Sequence, residues 1–207
     1  MMRFKYNILF LMCFVTNPLF VSSVTASPSL GTAAPQFKGI DSNGNKVSLS
    51  DFQGKIVILE WTNHDCPYVR RQYMTGNMQM VQVKAKDMGV VWVTIISSAP
   101  GTQGYVNRRQ ANKLTASRKA LPSHVVMDPS GVIGKLYGAR TTPHMYILDT
   151  KGTLVYKGAI DDKPTSWGKI DAGTKNYVLD ALSELMAGNR ITHAATQPYG
   201  CSVKYGS

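Results

Sequence analysis

The stretch Ile56-Val57-Ile58-Leu59-Glu60-Trp61 runs into a polar turn, Thr62-Asn63-His64-Asp65, and then into Cys66-Pro67. Few arrangements satisfy all three parts. An apolar, β-branched run suits a central strand covered on both faces. Proline suits the first position of a helix, because its missing N–H would have no intrahelical partner there. The chain must therefore pass from strand to helix within one short turn, with a thiol at the junction. A cysteine so placed faces unpaired backbone N–H groups and the positive end of the helix dipole, and both favour thiolate over thiol. Cys66 reads as a reactive cysteine rather than a packed one. It lies at the carboxyl end of its strand, where open α/β sheets place their sites.

The first residues bear on where such chemistry takes place. Arg3 and Lys5 precede an apolar run from Ile8 to Val21, and Val24-Thr25-Ala26 offers the small residues a signal peptidase accepts. Residues 1–26 are expected to be a secretory signal peptide, cleaved near Ala26 to leave a periplasmic or secreted chain. Asn17-Pro18 interrupts the run, which falls short of the ~20 apolar residues of a spanning helix, so no stable membrane insertion is expected. Cys13 lacks the small residues that precede a lipidated cysteine. The rest of the 207-residue chain suffices for one domain with its own core. That domain is expected over residues 27–190, with an irregular tail over 191–207. Cys66 and Cys201 remain after cleavage, and a pair of cysteines in an exported protein permits a disulfide. The formal charge is +11, two positives leave with the signal, and no Lys/Arg cluster interleaves with aromatics. The basic balance therefore reads as solvated surface, and no nucleic-acid partner is expected.

Along the chain, Gln36 to Ile40 and Lys46 to Leu49 flank Asn43-Gly44 and predict a β-hairpin. Met74, Met78, Val81, Ala85 and Met88 recur at helical spacing after Cys66, and Gly76-Asn77 kinks or splits that helix. Val90 to Ile96 and Val125 to Met127 read as strands, and Asn107 to Ala120 and Ser130 to Gly138 as helices. Met145 to Leu148 and Leu154 to Tyr156 form a second hairpin, and Asn176 to Ala187 an amphipathic helix ended by Gly188-Asn189. Strands alternating with helices imply a mixed sheet with helices on both faces.

The strand, the Cys-Pro helix and the later Thr141-Thr142-Pro143-His144 run before a hairpin resemble the thioredoxin fold. The sequence is more closely similar to its redoxin or thiol-specific-antioxidant (peroxiredoxin-like) branch. The resemblance spans roughly Ala34 to Gly188 and includes the Asp51-Phe52-Gln53-Gly54-Lys55 step into the central strand. It implies an α/β class, a thioredoxin-like three-layer sandwich whose mixed central sheet follows an N-terminal β-hairpin. It implies that Cys66 is the attacking thiol, with Pro67 and Tyr68 beside it. Pro143 would be a cis proline packed against Cys66, and Thr142 would offer backbone groups to a substrate. Glu60 matches the buried acidic residue of thioredoxins. A buried carboxyl has a raised pKa and can relay protons to a thiol; the competing reading is a strand-end glutamate paired with a lysine or arginine.

Departures from the pattern matter as much. The second cysteine of a thioredoxin Cys-x-x-Cys pair falls on Val69, so an intrahelical disulfide is excluded. The threonine and proline of peroxiredoxins fall on Asn63 and Leu59, with Thr62 one place off, which counts against peroxide reduction. Cys-Pro-Tyr is also similar to monothiol glutaredoxins, but export argues against a glutathione-rich compartment. Cys201 lies in the tail, which at ~3.3–3.6 Å per extended residue is long enough to cross a small domain. Cys201 can thus serve as a distant resolving cysteine. A Cys66–Cys201 bond can equally be a permanent staple worth ~4–5 kcal/mol in the chain-entropy model, and a third reading leaves Cys201 free on a frayed tail.

Other candidates carry weaker signals. Charged, His64 would lower the Cys66 pKa; neutral, it could join Cys66 and His144 in a soft copper or zinc site. The alternative is two partly exposed polar histidines. Arg70 and Arg71 lie in the first turns of the Cys66 helix, against its dipole. Such placement points to lowering the Cys66 pKa or to contacting an anionic substrate, Arg70 being the candidate contact, and solvated arginines are the competing reading for both. Asp161-Asp162 reads as a turn, and Trp61, Trp92 and Trp167 as packing residues. The expected function is thiol chemistry, without cofactor, on protein thiols and disulfides or small oxidants, with a protein reductant. A metal-binding module and a redox-silent domain stapled by its disulfide are the alternatives.

Overall fold

The computed structural model describes residues 27–206 together with Met1 and Met2. The rest of the expected signal peptide lies outside the described residues. Strands β1 (Lys38–Asp41) and β2 (Lys46–Ser48) form the first hairpin. A 3-10 turn over Leu49–Phe52 then leads to β3 (Val57–Trp61), whose five residues are all buried. Two helices follow, α1 (Pro67–Met74) and α2 (Asn77–Asp87), and then β4 (Val91–Ile96). Helix α3 (Arg108–Ser117) is closed by a reciprocal cap: the Gln110 N–H donates to the Asn107 side chain at 2.9 Å and the Asn107 N–H to the Gln110 side chain at 2.8 Å. The chain continues through β5 (His124–Met127), α4 (Val132–Tyr137), β6 (Thr141–Thr142), β7 (His144–Leu148) and β8 (Leu154–Gly158). It ends with α5 (Tyr177–Met186) and β9 (Cys201–Ser202).

The described residues build a seven-stranded sheet in the order β2-β1-β5-β4-β3-β7-β8. Strands β3, β4 and β5 run parallel, and the remaining pairings are antiparallel. The sheet is mixed, as the alternation of elements requires. The first hairpin is part of it, since β1 pairs with β5 as well as β2.

Alternation along β3 divides the core. Ile58 packs with Val69 of α1, Met78, Val81 and Ala85 of α2, and Val178 and Leu182 of α5. Leu59 and Trp61 face Phe37, Phe52 and the α4 residues Ile133 and Tyr137. Helices thus cover both faces, giving the three layers of a thioredoxin-like sandwich.

Three sequence expectations need correction. Gly76 takes a left-handed φ of 78° and splits the helix, one of the two expected outcomes, but the single buried face expected from Met74 to Met88 does not form. Met78, Val81 and Ala85 of α2 are buried, while Met74, the last residue of α1, and Met88, which caps α2, are exposed. Trp167 is 79% exposed, on the loop before α5, and is not a packing residue. The tail is not irregular throughout: β9 pairs antiparallel with β6.

Truncating Leu59, which is fully buried at the sheet centre, should cost about 2–5 kcal/mol. Met74→Ala, at an exposed position, should change stability by less than about 0.5 kcal/mol. Urea unfolding of the two variants checks both values.

Candidate active site

Cys66 is the N-cap of α1, with extended backbone and Pro67 at the first helical position. The turn before it is shaped by Asn63. Its side-chain carbonyl accepts the Asp65 N–H at 2.9 Å, and its main-chain carbonyl accepts the Cys66 N–H at 3.1 Å. Its amide donates to the Gln103 carbonyl at 3.2 Å. An Asx turn of this kind fixes the strand-to-helix change without a glycine. The asparagine at the peroxiredoxin threonine position is therefore committed to the turn.

The Cys66 sulfur meets the peptide that precedes β7. Its thiol donates to the Thr142 carbonyl at 3.0 Å and accepts the Cys201 N–H at 3.4 Å. Thr142 lies directly opposite Cys201 in the β6–β9 ladder, and its hydroxyl donates to the Cys201 carbonyl at 3.4 Å. The Thr142–Pro143 bond is cis. Both cysteines are free thiols. Burial pushes the Cys66 pKa up, but hydrogen bonds from the Cys201 thiol, the Val69 and Cys201 amides and Thr142 outweigh it, and the net shift is downward. Hydrogen bonds, rather than a neighbouring cation, carry this shift. Burial, its bond to Cys66 and the charge of that sulfur push Cys201 up to about 11.

The exposure of the two sulfurs reverses the expected picture. Cys66 is fully buried, whereas Cys201 is half-buried on the outside. The tail lies over the nucleophile. It is fixed by Tyr199, whose hydroxyl donates to Asp161 at 2.5 Å, accepts from Gln72 at 3.1 Å, and whose ring packs on Tyr68.

Glu60 is fully buried and has no lysine or arginine partner among the described residues. Its carboxyl accepts from Trp92 Nε1 and Thr94 Oγ1, each at 2.9 Å, and from the Tyr73 hydroxyl at 3.0 Å. Desolvation raises its pKa, and these bonds oppose the rise without cancelling it. None of the bonds reaches Cys66. The network ties β3 to β4 and α1 on the face that also carries Cys66.

The two histidines do not join Cys66. His64 reaches Asp65 at 3.3 Å, and burial lowers its pKa, so it is neutral near pH 7 and does not supply the expected positive charge. His144 is buried rather than partly exposed; its Nδ1 accepts from the Arg140 N–H and lies 3.3 Å from the Tyr146 hydroxyl. Burial holds its pKa down to about 3. Among the described residues no three His, Cys, Asp or Glu side chains are placed to share a metal ion, so the His64–Cys66–His144 set is not assembled.

Arg70 is exposed and Pro67 lies beside it at the surface, whereas Arg71 is buried. Its guanidinium donates to the carbonyls of Lys163, Gly168 and Lys169, each at 3.3 Å, and so holds the loop that presents Trp167. Asp161 is likewise buried, its carboxylate accepting from Gln72 and Tyr199. These roles left no signal in the sequence, because each depends on a partner about ninety residues or more away.

The family model for the AhpC/TSA family matches residues 30–157. The thiol-disulfide oxidoreductase ResA of Bacillus thuringiensis subsp. konkukian (strain 97-27) is 24% identical over 126 residues, 61% of this chain and 67% of that protein. A hypothetical protein from Sinorhizobium meliloti 1021 superposes with a TM-score of 0.76 at 21% identity, covering 88% of this chain and 97% of that one. A chain from Chlorobium tepidum, assigned as a thiol:disulfide interchange protein DsbE, is 27% identical with a TM-score of 0.52, covering 63% and 85%.

Because the Glu60 pKa is raised in the folded state, the native protein binds more protons than the unfolded chain above the ordinary carboxyl pKa. Its stabilising contribution is complete below that value and is lost as pH climbs through the raised one. Glu60→Gln should therefore gain stability relative to the unsubstituted chain between pH 4 and pH 8, as read by urea unfolding at each pH. Arg71→Met should leave three carbonyls without their donor and release the loop, speeding tryptic cleavage after Lys169 while leaving β3 protected from hydrogen exchange.

Proposed function

The chain belongs to the AhpC/TSA family, and we propose that it is an exported thiol-disulfide oxidoreductase working through Cys66 and Cys201. One observation carries this reading. A sulfur with a lowered pKa sits at a helix start, in hydrogen-bond contact with the backbone and thiol of a second cysteine. The name of the Bacillus relative, a thiol-disulfide oxidoreductase, points the same way.

In the proposed cycle the Cys66 thiolate attacks one sulfur of a substrate disulfide. A Cys66–substrate bond forms, the substrate S–S bond breaks, and the other substrate sulfur leaves as a thiolate. Cys201, having lost its proton, then attacks the Cys66 sulfur. The Cys66–Cys201 bond forms and the second substrate thiol is released. The substrate has gained two electrons and the chain has lost them. An external dithiol protein restores the chain, with Cys66 as the better leaving group because its pKa is the lower. Substrates are protein disulfides, or small oxidants that first convert Cys66 to a sulfenic acid. Disulfide exchange is preferred over peroxide reduction because Asn63, at the peroxiredoxin threonine position, turns to Asp65 and Gln103. Glu60 holds β3, β4 and α1 together through its buried network and so positions Cys66, and Tyr68, Pro67 and Arg70 frame the approach. In this reading residues 1–26 are removed on export, 27–190 form the domain and 191–207 carry the resolving thiol.

Trapping tests the assignment. With excess cystine-bridged peptide near neutral pH, Cys201→Ser should accumulate a mixed disulfide on Cys66, and the unsubstituted chain a Cys66–Cys201 bond, both read by mass spectrometry. Cys66→Ser should react about 100-fold more slowly, because little Cys201 is thiolate at that pH. Equal trapping on Cys201 in the Cys66→Ser chain would retire Cys66 as the nucleophile. A Cys66–Cys201 bond that resists excess dithiol under native conditions would instead support the redox-silent alternative.

A further inference from the structure

The segment over Cys66 is built like a bound peptide. Residues Cys201 and Ser202 add an antiparallel strand to Thr142 and Thr141. Beyond them the Val203 N–H donates to the Arg140 carbonyl at 3.0 Å and the Lys204 carbonyl accepts the Ala99 N–H at 2.8 Å. Gly200 lies so close that a Cβ there would stand 2.0 Å from the Thr142 carbonyl oxygen, at a φ of 124° that favours glycine. Between residues 196 and 206 only Pro198 is buried; the others are half-buried or exposed. The tail therefore sits on the domain, with Val203 packed against one core cluster and Tyr199 and Cys201 against the other, all three only half-buried, and it leaves Cys66 with no exposed surface.

We propose that residues 199–203 are an internal occupant of the substrate groove, which departs by local opening to admit an extended, cysteine-bearing polypeptide segment. The groups uncovered when the tail leaves are the Arg140 carbonyl and the backbone edge of Thr141 and Thr142, together with the Asp161 carboxylate and Gln72 amide that Tyr199 now meets. An extended peptide satisfies such an edge by strand addition, whereas a small oxidant leaves it to solvent. The tail then has two states: closed, with Cys201 against Cys66, and open, with Cys66 and the Thr142 edge free for a polypeptide disulfide. This proposal rests on Cys66 being the reacting thiol, and its test reads strand exchange rather than turnover.

The test follows iodoacetamide labelling of Cys66 by mass spectrometry in a Cys201→Ser background. Against the full chain, a chain ending at Thr196 should label about 100-fold faster, and Gly200→Ala about 10-fold faster, as expected when a local closure is removed or strained. A peptide of residues 197–205, with serine in place of Cys201, should restore protection to the shortened chain; the same peptide with alanine in place of Gly200 should not. Equal labelling of long and short chains, or a peptide that gives no protection at millimolar concentration, overturns the proposal. Should the shortened chain not fold, the full chain decides. Labelling of Cys66 at a rate independent of dilute urea marks local opening, and labelling only at the global unfolding rate overturns it. A shortened chain that labels rapidly yet forms no mixed disulfide on Cys66 with a cystine-bridged peptide leaves the covering role of the tail standing and retires the oxidoreductase reading.

Discussion

The site depends on the register between β3 and β7. Trp61, the last residue of β3, lies opposite His144, the first of β7. The chain leaving β3 toward Cys66 and the chain entering β7 through Thr142-Pro143 must therefore meet at one end of the sheet. A shift of one residue would turn every β3 side chain to the other face. It would carry Glu60 out of its network and Trp61 out of the cluster around Tyr137 and Tyr146. The register is thus held by both faces at once, and the thiol at the junction inherits its precision from the core.

Polar burial adds a second layer of specification. Glu60, Arg71, Gln72 and Asp161 are all buried, and each is costly unless its hydrogen bonds are made. Each is satisfied by a group remote in sequence: Trp92 and Thr94 for Glu60, the 163–169 carbonyls for Arg71, Tyr199 for Asp161 and Gln72. These bonds fix what lies around Cys66 without touching its sulfur. Helix α1 is thereby clamped to the sheet through Tyr73, to the Trp167 loop through Arg71, and to the tail through Gln72 and Tyr68.

Much of this was legible in the residues. The apolar run from Ile56 to Leu59, the proline after Cys66 and the Asn-Gly turn each have one dominant physical meaning, and the elements form where they point. The 107–120 and 176–187 patterns carry asparagine caps and appear as α3 and α5. What was not legible has a common cause. Arg71, Asp161 and Trp167 have the same local sequence context whether buried or exposed, and only a distant partner decides. The two methionines at 74 and 88 misled because each stands at a helix end, Met74 closing α1 and Met88 capping α2, where the spacing of the buried stripe no longer applies. His144 looked like a candidate ligand because proximity to Pro143 in sequence says nothing about which face of β7 it occupies.

By itself, the sequence determined a mixed α/β sheet, the strand-to-helix junction and the identity of the thiol placed there, because hydrophobic periodicity, proline geometry and helix-terminus electrostatics act over a few residues. Tertiary structure alone decided that this thiol is covered, that its pKa falls chiefly through bonds from Cys201 rather than through His64, and that Cys201 and Ser202 complete a ladder with β6. Those outcomes rest on contacts between segments from 59 to 135 residues apart, and no local pattern encodes such a meeting.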